Sequence, residues 1–186
     1  MDNAIDYSNW KTEIIDGKIY YMSLPSMKHN RIMGRLFSLF DSYLRGSNCG
    51  VFIELGVHLD ADNPTDYVVP DVSIICNQKV QDFEDFRGIP SLVIEILSTN
   101  RSNDKIVKFQ KYQQFGIKEY WIIDPKINTI EQYTLIESKY VLTNIFSLLT
   151  NSELDKLSDT DRLQYTTIIQ PTIFSDLNID LTDIFE

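Results

Sequence analysis

The chain has few cysteines, no long apolar run and no basic N-terminus. Each of these absences argues against one class of protein. Its two cysteines, Cys49 and Cys76, match no metal-binding spacing. The N-terminal residues are acidic and polar, unlike a secretory signal, so we expect buried thiols in a reducing cytoplasm rather than a disulfide. No run approaches the roughly 20 apolar residues that span a bilayer, and no membrane association is expected.

Glycine is also scarce, and the usual phosphate-binding loops are absent. The seven glycines form neither G-x-G-x-x-G nor G-x-x-x-x-G-K-[ST]. The zinc motif H-E-x-x-H and the nucleophile elbow G-x-S-x-G are missing as well. Redox chemistry with a nucleotide cofactor, kinase chemistry and serine hydrolysis are therefore poorly supported.

Basic residues are outnumbered, with 17 Lys and Arg against 27 Asp and Glu and a net charge of −10. This balance is unusual for a protein that binds nucleic acid, because phosphate contacts favour Lys and Arg. One segment, 101–118, departs from it with five basic residues and a single acid, Asp104. From charge alone this segment fits a solvated helix face as well as a nucleic-acid contact.

The remaining composition is that of a globular protein, and we expect a single domain over residues 1–186 because no linker or repeat interrupts it. Hydrophobic periodicity and turn residues predict the following order: a hairpin at 13–22, a helix from Ser26 to Gly46, strands within 49–59, 67–76 and 91–97, a helix at 103–115, a strand at 119–125, a hairpin at 129–143, a polar insertion or loose helix at 148–164, and a tail that caps the sheet. The predicted fold class is α/β, with a mixed β-sheet core flanked by α-helices and additional N- and C-terminal hairpins.

Two acids lie in otherwise apolar predicted strands. Asp71 follows Val69-Pro70, and Glu95 lies within the run 91–97. Burial of a carboxylate is costly unless a cation, a proton or hydrogen bonds compensate it. Either acid alone is more simply a strand-end residue that reaches solvent. Two acids on adjacent strands, however, suit Mg²⁺ or Mn²⁺, which can activate water and stabilise charge on a phosphoryl group.

The helix predicted after the Glu95 strand carries a lysine that can reach the two acids. Asp104, Lys108 and Tyr112 are spaced i, i+4 and i+8 and so share one face. Because the helix directly follows the strand, Lys108 is placed to orient a water or to neutralise phosphate charge at the same site. The alternative is a surface pair between Asp104 and Lys108, worth only about a few tenths of a kcal/mol.

In chain order, several segments resemble the Uma2 family, a bacterial group of restriction endonucleases within the PD-(D/E)xK superfamily. The matching pieces are Glu13-Ile14-Ile15-Asp16-Gly17-Lys18-Ile19, Pro25-Ser26 with His29, Val69-Pro70-Asp71-Val72-Ser73, Val93-Ile94-Glu95-Ile96-Leu97-Ser98, Asp104 with Lys108 and Tyr112, and Gly116-Ile117-Lys118-Glu119-Tyr120-Trp121-Ile122-Ile123-Asp124-Pro125. The resemblance implies a restriction-endonuclease-like fold.

The resemblance also implies roles. Asp71 matches the metal-binding Asp that follows a Pro, Glu95 matches the second acid, and the carbonyl of Ile96 would complete the metal shell. The motif places a lysine where Leu97 stands, so the resemblance implies that Lys108 is that lysine, moved onto the helix. Accessory roles fall to Glu13, His29, Asp104 and Tyr112, although a lone helical His is more often a core residue. Contacts to the DNA backbone would come from Arg101, Lys105 and Lys111.

These implications predict a cytoplasmic, Mg²⁺- or Mn²⁺-dependent endonuclease that hydrolyses phosphodiester bonds in DNA. Because many nucleases of this fold act in pairs, a homodimer is compatible with this prediction. Two alternatives stay open. Leu97 and the net charge of −10 favour a degenerate nuclease-fold module that binds nucleic acid or protein. The acidic composition also suits a metal-dependent hydrolase of smaller phosphate esters.

Overall fold

The structure, a computed structural model, describes residues 11–22, 24–60, 66–77, 85–98 and 103–186, without the side chains of residues 103 and 104. The strands are β1 (Thr12–Ile15), β2 (Lys18–Tyr21), β3 (Cys49–Ile53), β4 (Val57–His58), β5 (Val72–Cys76), β6 (Phe86–Arg87), β7 (Leu92–Ile96), β8 (Glu119–Asp124), β9 (Thr129–Ile136), β10 (Lys139–Ser147), β11 (Ile168–Ile169) and β12 (Ile179–Asp180). The helices are α1 (Met27–Leu44), a π-helical turn (Asn103–Lys108) that runs into α2 (Phe109–Phe115), α3 (Asn151–Leu154), α4 (Asp159–Gln164) and α5 (Leu181–Phe185).

The central sheet has six strands in the order β10-β9-β8-β7-β5-β3. In this sheet β7 and β8 pair in parallel, and all other neighbouring strands pair antiparallel. The α/β class with a mixed sheet and flanking helices is therefore confirmed. The parallel pair brings the carboxyl ends of β7 and β8 to the same edge of the sheet.

The two faces of the sheet carry separate cores. On one face α1 and α5 pack against the strands, and Leu36 and Phe40 of α1 are fully buried. On the other face lie Tyr112 of α2, Tyr120 of β8 and Leu97 after β7. Leu97, the residue at the motif lysine position, is thus part of an apolar cluster.

Helix α1 begins where its sequence predicts. The Ser26 side chain accepts a hydrogen bond from the His29 backbone N–H, as an N-cap residue does. Helix α2 ends at Gly116, whose φ of +79° closes the last turn in the left-handed conformation that glycine adopts without steric cost.

The N-terminal hairpin is formed by β1 and β2 around Asp16 and Gly17, with φ values of 51° and 71°. Both turn residues have positive φ, as two-residue hairpin turns of this sequence require. Backbone hydrogen bonds between Ile14 and Tyr67 attach the hairpin to the chain ahead of β5.

Three local predictions differ from the structure. The strand expected at 67–76 begins only at Val72, since Pro70 has no N–H for the ladder. The insertion at 148–164 contains two short helices, α3 and α4. The prediction of two buried thiols is wrong, because Cys49 and Cys76 are half-buried and joined by a disulfide. They lie directly opposite each other on β3 and β5, a pairing that sequence separation conceals.

Within the described ranges, no helix is both long and apolar enough to cross a membrane.

Candidate active site

Asp71 lies one residue before β5, at the edge of the central sheet. The pairing of β5 with β7 ends at Val72 opposite Ile94, so one further step places Asp71 opposite Glu95. The Ile96 backbone N–H donates to Asp71 Oδ2 at 2.7 Å. This bond satisfies an N–H that the antiparallel ladder no longer pairs, and it fixes the carboxylate beside β7.

Glu95 is buried on β7, and two donors converge on one of its oxygens. Lys108 Nζ lies 3.0 Å and the Tyr112 hydroxyl 2.7 Å from Glu95 Oε1. The spacing of Lys108 and Tyr112 by four residues therefore directs both side chains to one carboxylate, as one helical face predicts.

Glu13 joins this group from the N-terminal hairpin. Its Oε1 lies 2.8 Å from Lys108 Nζ and accepts a hydrogen bond of 2.8 Å from the Val69 backbone N–H. The ammonium of Lys108 thus lies between the carboxylates of Glu13 and Glu95, and all three residues are at most 2% exposed. Each buried charge has an opposite partner, which offsets its desolvation. The side chain of Asp104 lies outside the described residues.

Tyr112 is fully buried behind this cluster. Burial raises the pKa of its hydroxyl well above the ordinary value, and the negative charges of Glu95 and Glu13 raise it further. The hydroxyl therefore stays protonated and acts as a hydrogen-bond donor to Glu95.

His29 of α1 contacts the other acid. Its Nε2 lies 3.2 Å from Asp71 Oδ2. Burial lowers the pKa of His29, but the hydrogen bond and charge of Asp71 outweigh burial, and the net pKa is raised above its ordinary value. The opposite ring atom, Nδ1, is buried and has no hydrogen-bond partner among the described residues.

Two of the predicted DNA-contacting residues, Lys105 and Lys111, are paired with acids within the fold. Lys111 is 5% exposed and its ammonium binds the carboxylates of Asp16 and Asp66, so its charge is already paired within the fold. Lys105 is exposed and pairs with Glu131 at 2.6 Å. Arg101 lies outside the described residues. The ion pairs of Lys111 anchor the hairpin turn to α2, and its contact with DNA stays a prediction.

The chemistry of the acids fits Mg²⁺ better than zinc. Across the described part of the chain, no three His, Cys, Asp or Glu side chains are grouped as a metal site. A tetrahedral zinc centre needs three or four such ligands, whereas Mg²⁺ commonly takes one or two carboxylates and keeps several waters. Asp71 also keeps its second oxygen, Oδ1, outside every hydrogen bond among the described residues. Asp71 and Glu95 are therefore of the ligand type that Mg²⁺ prefers.

Comparison with known proteins places the chain in a family. The family model described as "Putative restriction endonuclease", Uma2, matches residues 2–165. The chain belongs to the Uma2 family. An uncharacterized protein from Synechocystis is 33% identical over 139 residues, covering 69% of this chain and 71% of the relative.

A solved structure from Anabaena variabilis has the same fold as this Uma2 protein. That crystal structure, described as a "putative nuclease belonging to DUF820", superposes with a TM-score of 0.68 at 24% identity, covering 94% of this chain and 89% of the other. The predicted nuclease-type fold and family are therefore confirmed. The family supports nuclease activity in general.

Two lysines near the site were overlooked by the sequence analysis. Lys28 and Lys126 line a pocket next to His29. Lys28 directly follows the first residue of α1, and Lys126 follows Asp124-Pro125 at the end of β8. Their positions, at the start of one predicted element and just after the end of another, were the only hint in the sequence that they lie at the edge of the sheet.

Proposed function

We propose that this Uma2 protein is a Mg²⁺- or Mn²⁺-dependent endonuclease that hydrolyses phosphodiester bonds in DNA. In this proposal Asp71 and Glu95 hold the ion, and Lys108 serves as the displaced motif lysine. When bound, the ion supplies an activated water and stabilises negative charge on the phosphoryl group.

The remaining residues position the acids. Tyr112 and Lys108 donate to Glu95 Oε1 and so fix the position of its carboxylate. The Ile96 N–H and His29 hold Asp71 through Oδ2, so Oδ1 is the oxygen offered. Glu13 balances the charge of Lys108, which keeps the ammonium beside Glu95 after burial.

One observation carries the proposal: Lys108 reaches the second acid although Leu97 occupies the usual lysine position. The distance from Lys108 Nζ to Glu95 Oε1 is 3.0 Å, within charge-assisted hydrogen-bond range. A cation therefore lies beside the proposed metal-binding acid, but it comes from the helical segment that follows β7 and not from the strand itself. The uncommitted Oδ1 of Asp71 is the second support.

The experiment is cleavage of supercoiled plasmid with Mg²⁺ or Mn²⁺ at low salt. We expect the wild type to nick or linearise the plasmid, and Asp71→Asn, Glu95→Gln and Lys108→Met each to lose about 100-fold or more of the rate, as loss of a transition-state electrostatic contact does. Calorimetric titration with Mg²⁺ gives a second readout, in which Asp71→Asn and Glu95→Gln lose the binding heat.

The matched control is Glu119→Gln. Glu119 is a buried acid of β8 that accepts from Trp121 Nε1 and Gln132 Nε2, away from the proposed ligands. This variant should cleave at the wild-type rate. Cleavage that survives in EDTA and in all three site variants would identify a contaminant and contradict the proposal.

The arrangement of Lys108 also favours a second candidate function, a nuclease-fold module without catalysis. Lys108 is 2% exposed, and its ammonium is bonded to the carboxylates of Glu13 and Glu95, as in a structural ion pair. This candidate predicts binding of nucleic acid or protein without metal-dependent cleavage.

A wild-type protein that binds Mg²⁺ but cuts no plasmid, and instead releases phosphate from a small ester, would support the hydrolase alternative.

A further inference from the structure

A pocket of about 420 Å³ opens beside His29 at the edge of the sheet. Its walls come from three segments: Leu24, Ser26, Lys28 and His29 around the start of α1, Leu97 and Ser98 after β7, and Pro125 and Lys126 after β8. The region beyond the carboxyl ends of parallel strands is where open α/β sheets commonly bind ligands.

The charged groups of this pocket are all positive. Lys28 and Lys126 are exposed at its rim, and no described lining residue is acidic, although the chain carries a net charge of −10. The first turn of α1 contains no acid either, so its backbone N–H groups and helix dipole favour an anion. Lys28 Nζ also donates to Asn128 Oδ1 at 2.8 Å, which ties α1 to the loop that carries Lys126.

His29 supplies an independent indication of a ligand. It is 5% exposed and lines the pocket, and its Nδ1 has no hydrogen-bond partner among the described residues. A buried polar atom without a partner is costly in a folded protein. Because Nδ1 is inaccessible to solvent as it stands, a polar group of a ligand in this pocket would remove that cost after a small turn of the imidazole.

The remaining wall is apolar. Leu24 is 95% exposed at the mouth, and Leu97 and Pro125 are buried behind it. Inorganic phosphate would leave this wall uncovered. An anion attached to a flat, partly apolar body would cover the wall and contact the lysines together.

We propose that this pocket binds a nucleotide of the DNA substrate next to the bond that is cut. Its phosphate lies between Lys28 and Lys126, and its nucleoside packs on Leu24 and Pro125. The placement rests on the proposed nuclease function, since His29 in the pocket wall lies 3.2 Å from Asp71.

The test is calorimetric titration of the wild-type protein in EDTA with thymidine 3′,5′-bisphosphate, thymidine and inorganic phosphate. We expect the bisphosphate to bind more tightly than either fragment. Lys28→Ala and Lys126→Ala should each weaken its binding about 10-fold, the effect of one lost charge-assisted hydrogen bond. Leu24→Ala should weaken binding of the bisphosphate and leave that of phosphate unchanged. Lys139→Ala, an exposed lysine on β10, is the control and should bind as the wild type does.

Equal affinity for phosphate and the bisphosphate, or equal binding by the lysine variants and the control, would overturn the nucleotide pocket. Such a result beside metal-dependent plasmid cleavage would leave the nuclease proposal standing. Nucleotide binding that depends on both lysines, in a protein that cuts no DNA, would support the pocket and reject the nuclease proposal.

Discussion

Among single residues, Lys108 has the most costly position, since its ammonium is buried between Glu13 and Glu95. Lys108→Met leaves two buried carboxylates without their cation, and we expect the free energy of unfolding to fall by about 3–5 kcal/mol. Urea denaturation at neutral pH measures this loss.

The control is a lysine on the same helical segment. Lys105 is 40% exposed at its side chain and pairs with Glu131, so Lys105→Met should lower the free energy of unfolding by less than about 1 kcal/mol. Equal losses for the two variants would contradict a buried charge cluster.

His29 gives a prediction about pH. Burial lowers its pKa, while the hydrogen bond and charge of Asp71 raise it to a net value above 6.5. Asp71→Asn removes the negative charge that raises it, so we expect the pKa of His29 to fall in this variant. An NMR titration of the imidazole resonances measures the change, and the chain has only one other histidine to assign.

The raised pKa of His29 also determines whether the pair stabilises the fold more at low pH or at high pH. Because the folded pKa of His29 is raised, the stabilisation from its protonated pair with Asp71 is fully present below pH 6.5, the unfolded value, and is lost as pH rises through the folded pKa. The stability difference between wild type and Asp71→Asn should therefore shrink over that range. A difference that grows with pH there would contradict the pair.

The residues of the site illustrate what the sequence can predict. Helical spacing predicted that Lys108 and Tyr112 share one face, and both side chains contact Glu95 in the structure. Glu13 was suspected only through family resemblance, since its contact with Lys108 spans 95 residues and leaves no local pattern. The partners of Lys111, Asp16 and Asp66, were missed for the same reason.

At the level of elements, the N-terminal hairpin carries Glu13 into the site, and its turn depends on Gly17. A Cβ at Gly17 would meet no atom within 4 Å, so substitution there affects only the backbone, whose φ is +71°. Gly17→Ala should therefore lower the free energy of unfolding by about 1–2 kcal/mol, the cost of left-handed backbone for an L-residue. Thermal or urea unfolding measures it.

A second glycine gives a control of opposite sign. Gly34 lies within α1, has no positive φ, and a Cβ there would also meet open space. Gly34→Ala should raise the free energy of unfolding by about 0.5–1 kcal/mol, because alanine has the higher helix propensity. Destabilisation by both substitutions would contradict the assigned backbone conformations.

Elements with a clear hydrophobic period or with characteristic turn residues could be predicted from the sequence. Very short elements, and strands that pair with distant parts of the chain, could not. The Asp16-Gly17 hairpin and α1 follow from local residue preferences. The π-helical turn before α2 has no sequence signal of that kind. The parallel pair of β4 and β6 consists of two residues on each side, too few for a hydrophobic pattern.

For the whole molecule, binding of DNA by a chain with a net charge of −10 requires local positive charge. In the proposed complex Lys28 and Lys126 supply it at the pocket. Each phosphate contact by a lysine releases counterions, and the logarithm of affinity falls with the logarithm of salt by about 0.9 per contact on duplex DNA. The double variant Lys28→Ala/Lys126→Ala should therefore have a salt slope shallower than that of the wild type by about 2.

Fluorescence anisotropy with labelled duplex DNA, in EDTA and over a series of salt concentrations, measures this slope. The matched control is Lys139→Ala/Lys156→Ala, which removes the same charge from exposed positions away from the pocket. If net charge alone governed binding, both double variants would shift affinity and slope equally. A change confined to Lys28 and Lys126 would instead locate the DNA backbone at the sheet edge that carries Asp71, and so connect the pocket to the proposed site of cleavage.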